Sequence, residues 1–282
     1  MKDKICLITG ATSGIGFVTA LELAVKGATV IVCGRDQEKT ANAVLKIRKE
    51  SNNPKVDFLV ADLSDFEQVK KLAGEFINTW PKLDVLVNNA GGIFREFDLN
   101  RQNIEMTMAL NVFSVYLLTG LLSGLLKSSA PSRIINVSSM AHKMGNNNFD
   151  ILLNEKNYKA FQAYSNSKLA LMHLNHEMHT RLSPSGVCVN VMHPGWVKTG
   201  FAKDYQAGLI GVMEKMMHPF QLTPEQGAQT IVYLAESDEV AGISGKYFIK
   251  MKEASPSSAA MQTEISAKMW TWCEKMTHYK WS

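Results

Sequence analysis

The chain has 282 residues, 46% of them hydrophobic and 20% charged, with a formal net charge of +4. That length buries a large core, and the composition is ordinary for a soluble globular protein. Lysines and glutamates interleave, as in EKTANAVLKIRKE at 38–50, and no basic stripe forms, which sets aside nucleic acid as a partner. Cys6, Cys33, Cys188 and Cys273 are far apart and lack C-x-x-C spacing; they read as reduced thiols of a cytoplasmic protein, neither disulfides nor metal ligands.

The opening MKDKICLITG runs straight into a strand-like segment at 5–8, with no charged leader or cleavage site, so no signal peptide is expected. β-Branched runs follow at 29–33, 56–60, 83–87, 133–137 and 187–192. Between them lie amphipathic stretches such as IGFVTALELAVKG at 15–27 and DFEQVKKLAGEFI at 65–77. The most apolar long stretch, 109–126, contains Asn, Ser, Thr and Gly and reads as a buried or interface helix, not a membrane span. Continuous apolar strands alternating with helices predict a Rossmann-type, doubly wound parallel α/β sheet of about seven strands. One domain covers 1–253. The patch ASPSSAA at 254–260 leads into a helical extension over 254–282.

The first strand ends in TGATSGIG at 9–16, inside which a helix begins. Gly10 permits the tight turn out of the strand, Gly14 lets backbone approach a pyrophosphate, and Gly16 allows close helix–strand packing. Ser13 and Ile15 lie between these glycines. The helix N-terminus offers free N–H groups and the positive end of its dipole to phosphates. The second strand, ATVIVCGRD at 28–36, places Gly34 where an NAD site usually carries an acid, and Arg35 follows. A guanidinium binds a 2′-phosphate that an acid would repel, so NADP(H) is expected over NAD(H). Asp36 is the competing feature, as a ribose ligand in a shifted register.

Tyr164 and Lys168 in AYSNSKLAL at 163–171 are one helical turn apart, a spacing that alone carries little. With the other motifs it carries much more. TGATSGIG at 9–16, Asp62-Leu63, NNAG at 88–91, Asn111, IINVSS at 134–139, YSNSK at 164–168 and HPGWVKT at 193–199 occur in order. Over about residues 4–250 the chain resembles the short-chain dehydrogenase/reductases. The 25-residue interval from Ser139 to Tyr164 is similar to the retinol-dehydrogenase-like branch.

The resemblance implies a catalytic tetrad. Tyr164 would exchange the proton with the carbonyl or alcohol oxygen. Lys168 would lower the Tyr164 pKa and hold the nicotinamide ribose. Ser139, with Ser138 as the competing choice, would hydrogen-bond the substrate oxygen. Asn111 would anchor a water. Pro194, Gly195, Val197 and Thr199 would shape the nicotinamide pocket; Asn88, Ala90 and Gly91 the adenosine side; and Asp62 and Leu63 would join them. Asp62 also reads as a helix cap.

His173, His176 and His179 step by three along one helix and cannot converge well on a metal, so none is expected. The Met- and aromatic-rich stretch 200–222 is expected to form a substrate lid, with Met213, Met217 and Phe220 lining it beside Leu209 and Met216. Phe94 and His142 could face the same pocket. Trp270, Trp272 and Trp281 with Lys268, Lys275 and Lys280 suit a membrane surface, a partner subunit or the chain's own cleft. The resemblance implies a homodimer or homotetramer, paired through the 106–126 and Tyr164 helices. The function expected is NADP(H)-dependent interconversion of an apolar aldehyde or ketone (retinoid, steroid-like or fatty) with its alcohol. The alternatives are another carbonyl class, such as 3-oxoacyl thioesters, and a non-catalytic NADP(H)-binding sensor.

Overall fold

The computed structural model describes residues 1–149, 155–197 and 221–281. Eight strands form one sheet: β1 (Ile5–Thr9), β2 (Thr29–Gly34), β3 (Val56–Val60), β4 (Val85–Asn88), β5 (Ser132–Val137), β6 (Val187–His193), β7 (Tyr247–Ile249) and β8 (Lys252–Ala254). Their order is β3-β2-β1-β4-β5-β6-β7-β8. All neighbours are parallel except β7 and β8, which form a short antiparallel hairpin and bring the sheet to eight strands against about seven expected. The winding reverses between β1 and β4. Such a switch point opens a crevice at the carboxyl ends of the strands, where ligands of doubly wound sheets bind.

Successive side chains of a strand point to opposite faces, so each strand feeds two cores. On one face Leu7, Ile31, Leu86, Ile134 and Val189 pack under α3 (Phe66–Thr79), the composite α4 and α6 (Ala160–Leu182). On the other, Ile8, Val32, Val87, Ile135 and Met192 pack under α1 (Gly14–Val25), α2 (Gln37–Ser51) and α7 (Pro224–Glu236). The α3 register is set by Phe66, Val69, Leu72, Ala73 and Phe76 at helical spacing. Composite α4 comprises a first turn Met106–Met108, a π-helical turn Ala109–Phe113 and an α-helical stretch Ser114–Leu121. α5 (Ser123–Ser128) follows.

Helix starts follow local chemistry. The Asp36 side chain caps α2 by accepting from the Lys39 amide, and Asp65 caps α3 by accepting from the Glu67 amide. Thr223 and Gln226 form a reciprocal capping box on α7, with Pro224 in its first turn. The helix start anticipated at Asp62 is therefore taken three residues on. Asp62 instead folds a tight turn, its Oδ1 accepting from the Ser64 amide at 2.9 Å and the Ser64 hydroxyl at 2.7 Å.

The C-terminal extension belongs to the main core. In α8 (Thr263–Thr277), Met269, Trp270 and Cys273 are buried against α4 and α6. Trp270 meets Tyr116 edge-on at 4.9 Å, Trp281 lies 4.8 Å from Trp270, and Trp272 lies 5.0 Å from Phe113. The Arg181 guanidinium sits 3.9 Å above the Trp270 ring. Gly120 leaves the notch that admits Tyr279 and Trp281. The indoles are thus engaged in intramolecular packing. The face of α4 through which subunits were expected to pair carries the chain's own tail. All four cysteines are free, and no helix among the described residues is long and apolar enough to cross a membrane.

Candidate active site at the carboxyl edge of the sheet

The glycine turn after β1 is locked sterically. Gly10 has φ +63°, and a Cβ there would lie 2.9 Å from the Ala90 Cα. A Cβ on Gly16 would press on the Gly10 carbonyl oxygen and the Asn89 amide nitrogen. Ser13 precedes α1 without making a side-chain cap, unlike the capped starts of α2, α3 and α7. The first N–H groups of α1 thus remain available at a turn that only glycine fits, an arrangement that suits a phosphate. Ile15 and Val197 converge on Gly227 at the start of α7, and Val197 pairs with Leu222. Gly195 has φ +91° and abuts the Leu222 side chain. Pro194 lies in the same partly buried turn.

Two residues of this wall were not singled out from sequence. The Thr9 hydroxyl accepts from the Asn89 and Ala90 amides, both at 3.0 Å. The Asn89 side chain donates to the Thr9 and Gly10 carbonyls at 2.8 and 3.0 Å. Together they lock the β4 exit onto the glycine turn. Asn88, expected on the adenosine side, turns inward instead. It is buried and donates to Asn136 Oδ1 at 2.9 Å and Thr119 Oγ1 at 3.2 Å. Asn136 passes the chain on to Asn175 Oδ1 on α6 at 3.0 Å.

At the end of β2, Gly34 is walled by Thr12 and Thr40. Asp36 is occupied as the α2 cap, and Arg35 stands exposed between them. Leu63 is buried in the core while Asp62 stays partly exposed in its turn.

The tetrad residues come together where β5 meets α6. The buried Ser138 donates to the Lys168 carbonyl at 3.1 Å. Ser139 faces out and is hydrogen-bonded to the Tyr164 phenol; its Oγ also accepts from the Ala141 amide at 3.2 Å. Geometry therefore separates the two serines. Lys168 Nζ lies 5.7 Å from the Tyr164 ring centre and donates to the Val137 carbonyl at 2.9 Å. A Cβ on Gly91 would come within 3.3 Å of that ammonium. Burial pushes Lys168 down to about 8. Burial likewise pushes Tyr164 up to about 12, against the opposing effect of its Ser139 hydrogen bond. Desolvation is thus the dominant influence on the Tyr164 phenol in the unliganded fold.

Asn111 lies in the π-helical turn, a deviation common at functional sites. Its amide clamps Gly92, accepting from the Gly92 N–H at 2.8 Å and donating to the Gly92 carbonyl at 2.9 Å. It also donates to the Ser167 hydroxyl at 2.9 Å, which in turn donates to the Tyr164 carbonyl at 2.7 Å. Asn111 therefore ties the β4 exit to the catalytic helix through bonds that occupy its side chain.

His142 does not face a pocket. It is fully buried, and burial lowers its pKa. Its Nε2 accepts from the Ser257 amide at 3.3 Å, which leaves Nδ1–H to donate to the Ser139 carbonyl at 2.7 Å. It buttresses the serine from behind. Phe94 packs against Gly92, its carbonyl accepting from the Tyr158 hydroxyl at 2.9 Å. His173 and His179 bond to Ser266 and Ser244, and no metal-ligand cluster occurs among the described residues. Met213, Met217 and Phe220, with Leu209, Met216 and Thr199, lie outside the described residues. Close in sequence to Ser139, Tyr164 and Gly195 stand exposed apolar side chains not singled out from sequence: Met140, Met144, Phe161 and Trp196.

Residues 4–209 match the short chain dehydrogenase model. The chain is 39% identical to human retinol dehydrogenase 14, across 98% of this chain and 87% of that protein. It is 34% identical to human retinol dehydrogenase 12, across 100% and 88%. Among solved structures, an uncharacterised protein from Mycobacterium paratuberculosis superposes with a TM-score of 0.80 at 28% identity, covering 100% of this chain and 96% of that one. The Pseudomonas aeruginosa RhlG/NADP active-site complex superposes at 0.72 and 28%, covering 88% and 94%. The ordered motifs, the switch-point crevice and these likenesses agree: the chain belongs to the short-chain dehydrogenase family of NAD(P)-binding oxidoreductases, in its retinol-dehydrogenase-like branch.

Proposed function

We propose that the protein is an NADP(H)-dependent oxidoreductase that interconverts an apolar aldehyde or ketone with its alcohol. The observation that carries this reading is the Ser139–Tyr164 hydrogen bond, with the Lys168 ammonium beside it and Gly91 of the cofactor wall against that ammonium. Gly10, Gly14, Gly16 and the start of α1 would hold the pyrophosphate, and Arg35 the adenosine 2′-phosphate. A bound nicotinamide supplies or accepts the hydride. Gly34 has no space for the acid that favours NAD, and Asp36 is engaged in its cap, so the exposed guanidinium is the group left to meet that end of the nucleotide.

Tyr164, held protonated by burial, is suited to deliver its proton to a carbonyl oxygen, while the Ser139 hydroxyl steadies charge developing on that atom. With Lys168 lowered to about 8 and Tyr164 raised to about 12, the phenol holds its proton far more tightly than the ammonium does. The exposed apolar side chains of Met140, Met144, Phe161 and Trp196 support a lipophilic substrate. The names of the relatives point to retinoids first, with steroid-like and fatty aldehydes beside them.

The test is a carbonyl panel read by nicotinamide absorbance with NADPH and NADH side by side. Turnover with NADPH is expected to exceed that with NADH. Tyr164→Phe is expected to lose about a thousandfold in kcat, and Arg35→Ala about tenfold in kcat/KM with NADPH alone. A preference for NADH, or full activity in Tyr164→Phe, overturns the reading.

A further inference from the structure

The segment 140–149 leaves Ser139 and runs along the catalytic helix. Gln162 Nε2 donates to the Met144 carbonyl at 3.4 Å, and the Asn146 amide donates to Asn166 Oδ1 at 2.9 Å, so the bonds of this segment bracket Tyr164 from two residues either side. Gly145 packs directly on the Ser165 carbonyl and Leu169. Because it follows Ser139 and flanks Tyr164, on the proposed reading the segment is a wall of the substrate side, and its far end at 147–149 is where the tail reaches it.

That far end is held by the tail. Asn147 Nδ2 donates to Gln262 Oε1 at 2.9 Å and to the Ala259 carbonyl at 3.3 Å, which leaves Asn147 Oδ1 as an acceptor facing His173 Nε2 at 3.0 Å. His173 must then carry its proton on Nε2, and its Nδ1 accepts from the Ser266 hydroxyl at 2.9 Å. Ser266 and Gln262 lie one turn apart at the start of α8, so the bonds close a ring: Ser266 to His173, His173 to Asn147, Asn147 to Gln262. His173 is fully buried, and burial pushes its pKa down to about 4, so the neutral ring takes the Ser266 hydroxyl proton that the Gln262 carbonyl, 3.3 Å away, would otherwise receive. Independently, the Phe149 ring stacks on Trp272 at 6.0 Å and meets His173 edge-on at 6.3 Å. The linker before α8 adds a third attachment through the Ser257 amide to His142, behind Ser139.

We propose that α8 is a positioning element for the substrate wall at 145–149, acting through the closed ring Ser266–His173–Asn147–Gln262. What that wall serves rests on the carbonyl-oxidoreductase reading. The ring touches neither nucleotide wall nor Tyr164, so its loss should loosen substrate binding and spare both hydride transfer and cofactor affinity. Asn147, Ser266 and His173 are positioning residues.

Two readouts test this on the full chain. The first, amide hydrogen exchange over 143–149, needs no activity. Asn147→Ala and Ser266→Ala are each expected to speed exchange there by at least about fivefold to tenfold, the loss of one or more hydrogen bonds of the ring, while strands β1–β6 keep their protection. The double variant should add little to either single change, because both break one ring. His173→Gln, whose amide both donates and accepts, should retain most protection where His173→Leu does not. The second readout is steady-state kinetics with NADPH and the best carbonyl of the panel. Asn147→Ala should raise KM about fivefold to tenfold with kcat within about twofold and NADPH affinity unchanged. Unchanged exchange at 143–149 in both single variants overturns the proposal, as does a fall in kcat without a rise in KM. If the parent protein turns over no carbonyl, the functional reading falls, and the exchange experiment alone decides for or against the ring.

Discussion

The nucleotide wall and the aromatic tail face are built by opposite means. In the wall, absence of side chains does the work: Gly10, Gly16 and Gly91 each sit where one added carbon would meet backbone, an amide or the Lys168 ammonium. On the tail face, bulk does it, with Tyr116, Trp270, Trp272 and Trp281 filling the outer side of α4 and α6. A site made of absent side chains tolerates almost no addition and little affects global stability. A site made of large rings tolerates no deletion and contributes much to it.

The largest expected effect tests the first half of that contrast. Gly16→Val should weaken NADPH binding by at least about a hundredfold, roughly 2.7 kcal/mol, in a fluorescence titration. Next, Trp270→Ala should cost about 3–5 kcal/mol of stability and lower Tm by about 10 °C by calorimetry, with nucleotide affinity unchanged. A Trp270→Ala protein that lost nucleotide affinity as Gly16→Val does would dissolve the distinction between the two regions.

The smallest effect is a reference point at the opposite edge of the sheet. Asp84 is buried at the start of β4 and bonds to Lys4 at 2.8 Å, the Ile5 amide at 2.8 Å and Lys82 at 3.1 Å. Burial pushes its carboxyl up, but the bonds from Lys4, Ile5 and Lys82 outweigh it and hold the pKa below the usual carboxylate range. The stabilisation is therefore present above the unfolded-state pKa, about 4, and is lost as pH falls through the folded value. Between pH 5 and pH 3 the Tm of the native chain should fall more steeply than that of Asp84→Asn, by about 1–3 °C. The comparison cancels His173 and His193, which burial pushes down to about 4 in both proteins.

What the sequence disclosed follows the same divide. The glycine turn, the parallel sheet and the Tyr164–Lys168 spacing are set by backbone geometry and strand patterning, which local residues encode. The inward turn of Asn88 was missed through parity. At a strand end neighbouring side chains face opposite ways, and neither NN nor SS announces its phase. Asn88 faces inward and Asn89 outward; Ser138 faces inward and Ser139 outward. The burial that raises the Tyr164 pKa was not legible, because motif spacing shows a neighbouring charge but not how deeply both groups are buried. The tail packing was illegible for another reason: an aromatic, basic helix suits a lipid surface, a second subunit or a core equally, and nothing local in the sequence pairs it with the notch at Gly120. The Asn147 ring joins residues more than a hundred positions apart, beyond any local pattern.

Position 34 has a consequence for redesign. Because Thr12 and Thr40 occupy the space where a side chain would begin, a carboxylate that favours the unphosphorylated dinucleotide cannot simply be grafted there. Both threonines would have to shrink as well, and, on the proposed reading of Arg35, removing its guanidinium alone would weaken NADPH binding without building a site for NADH.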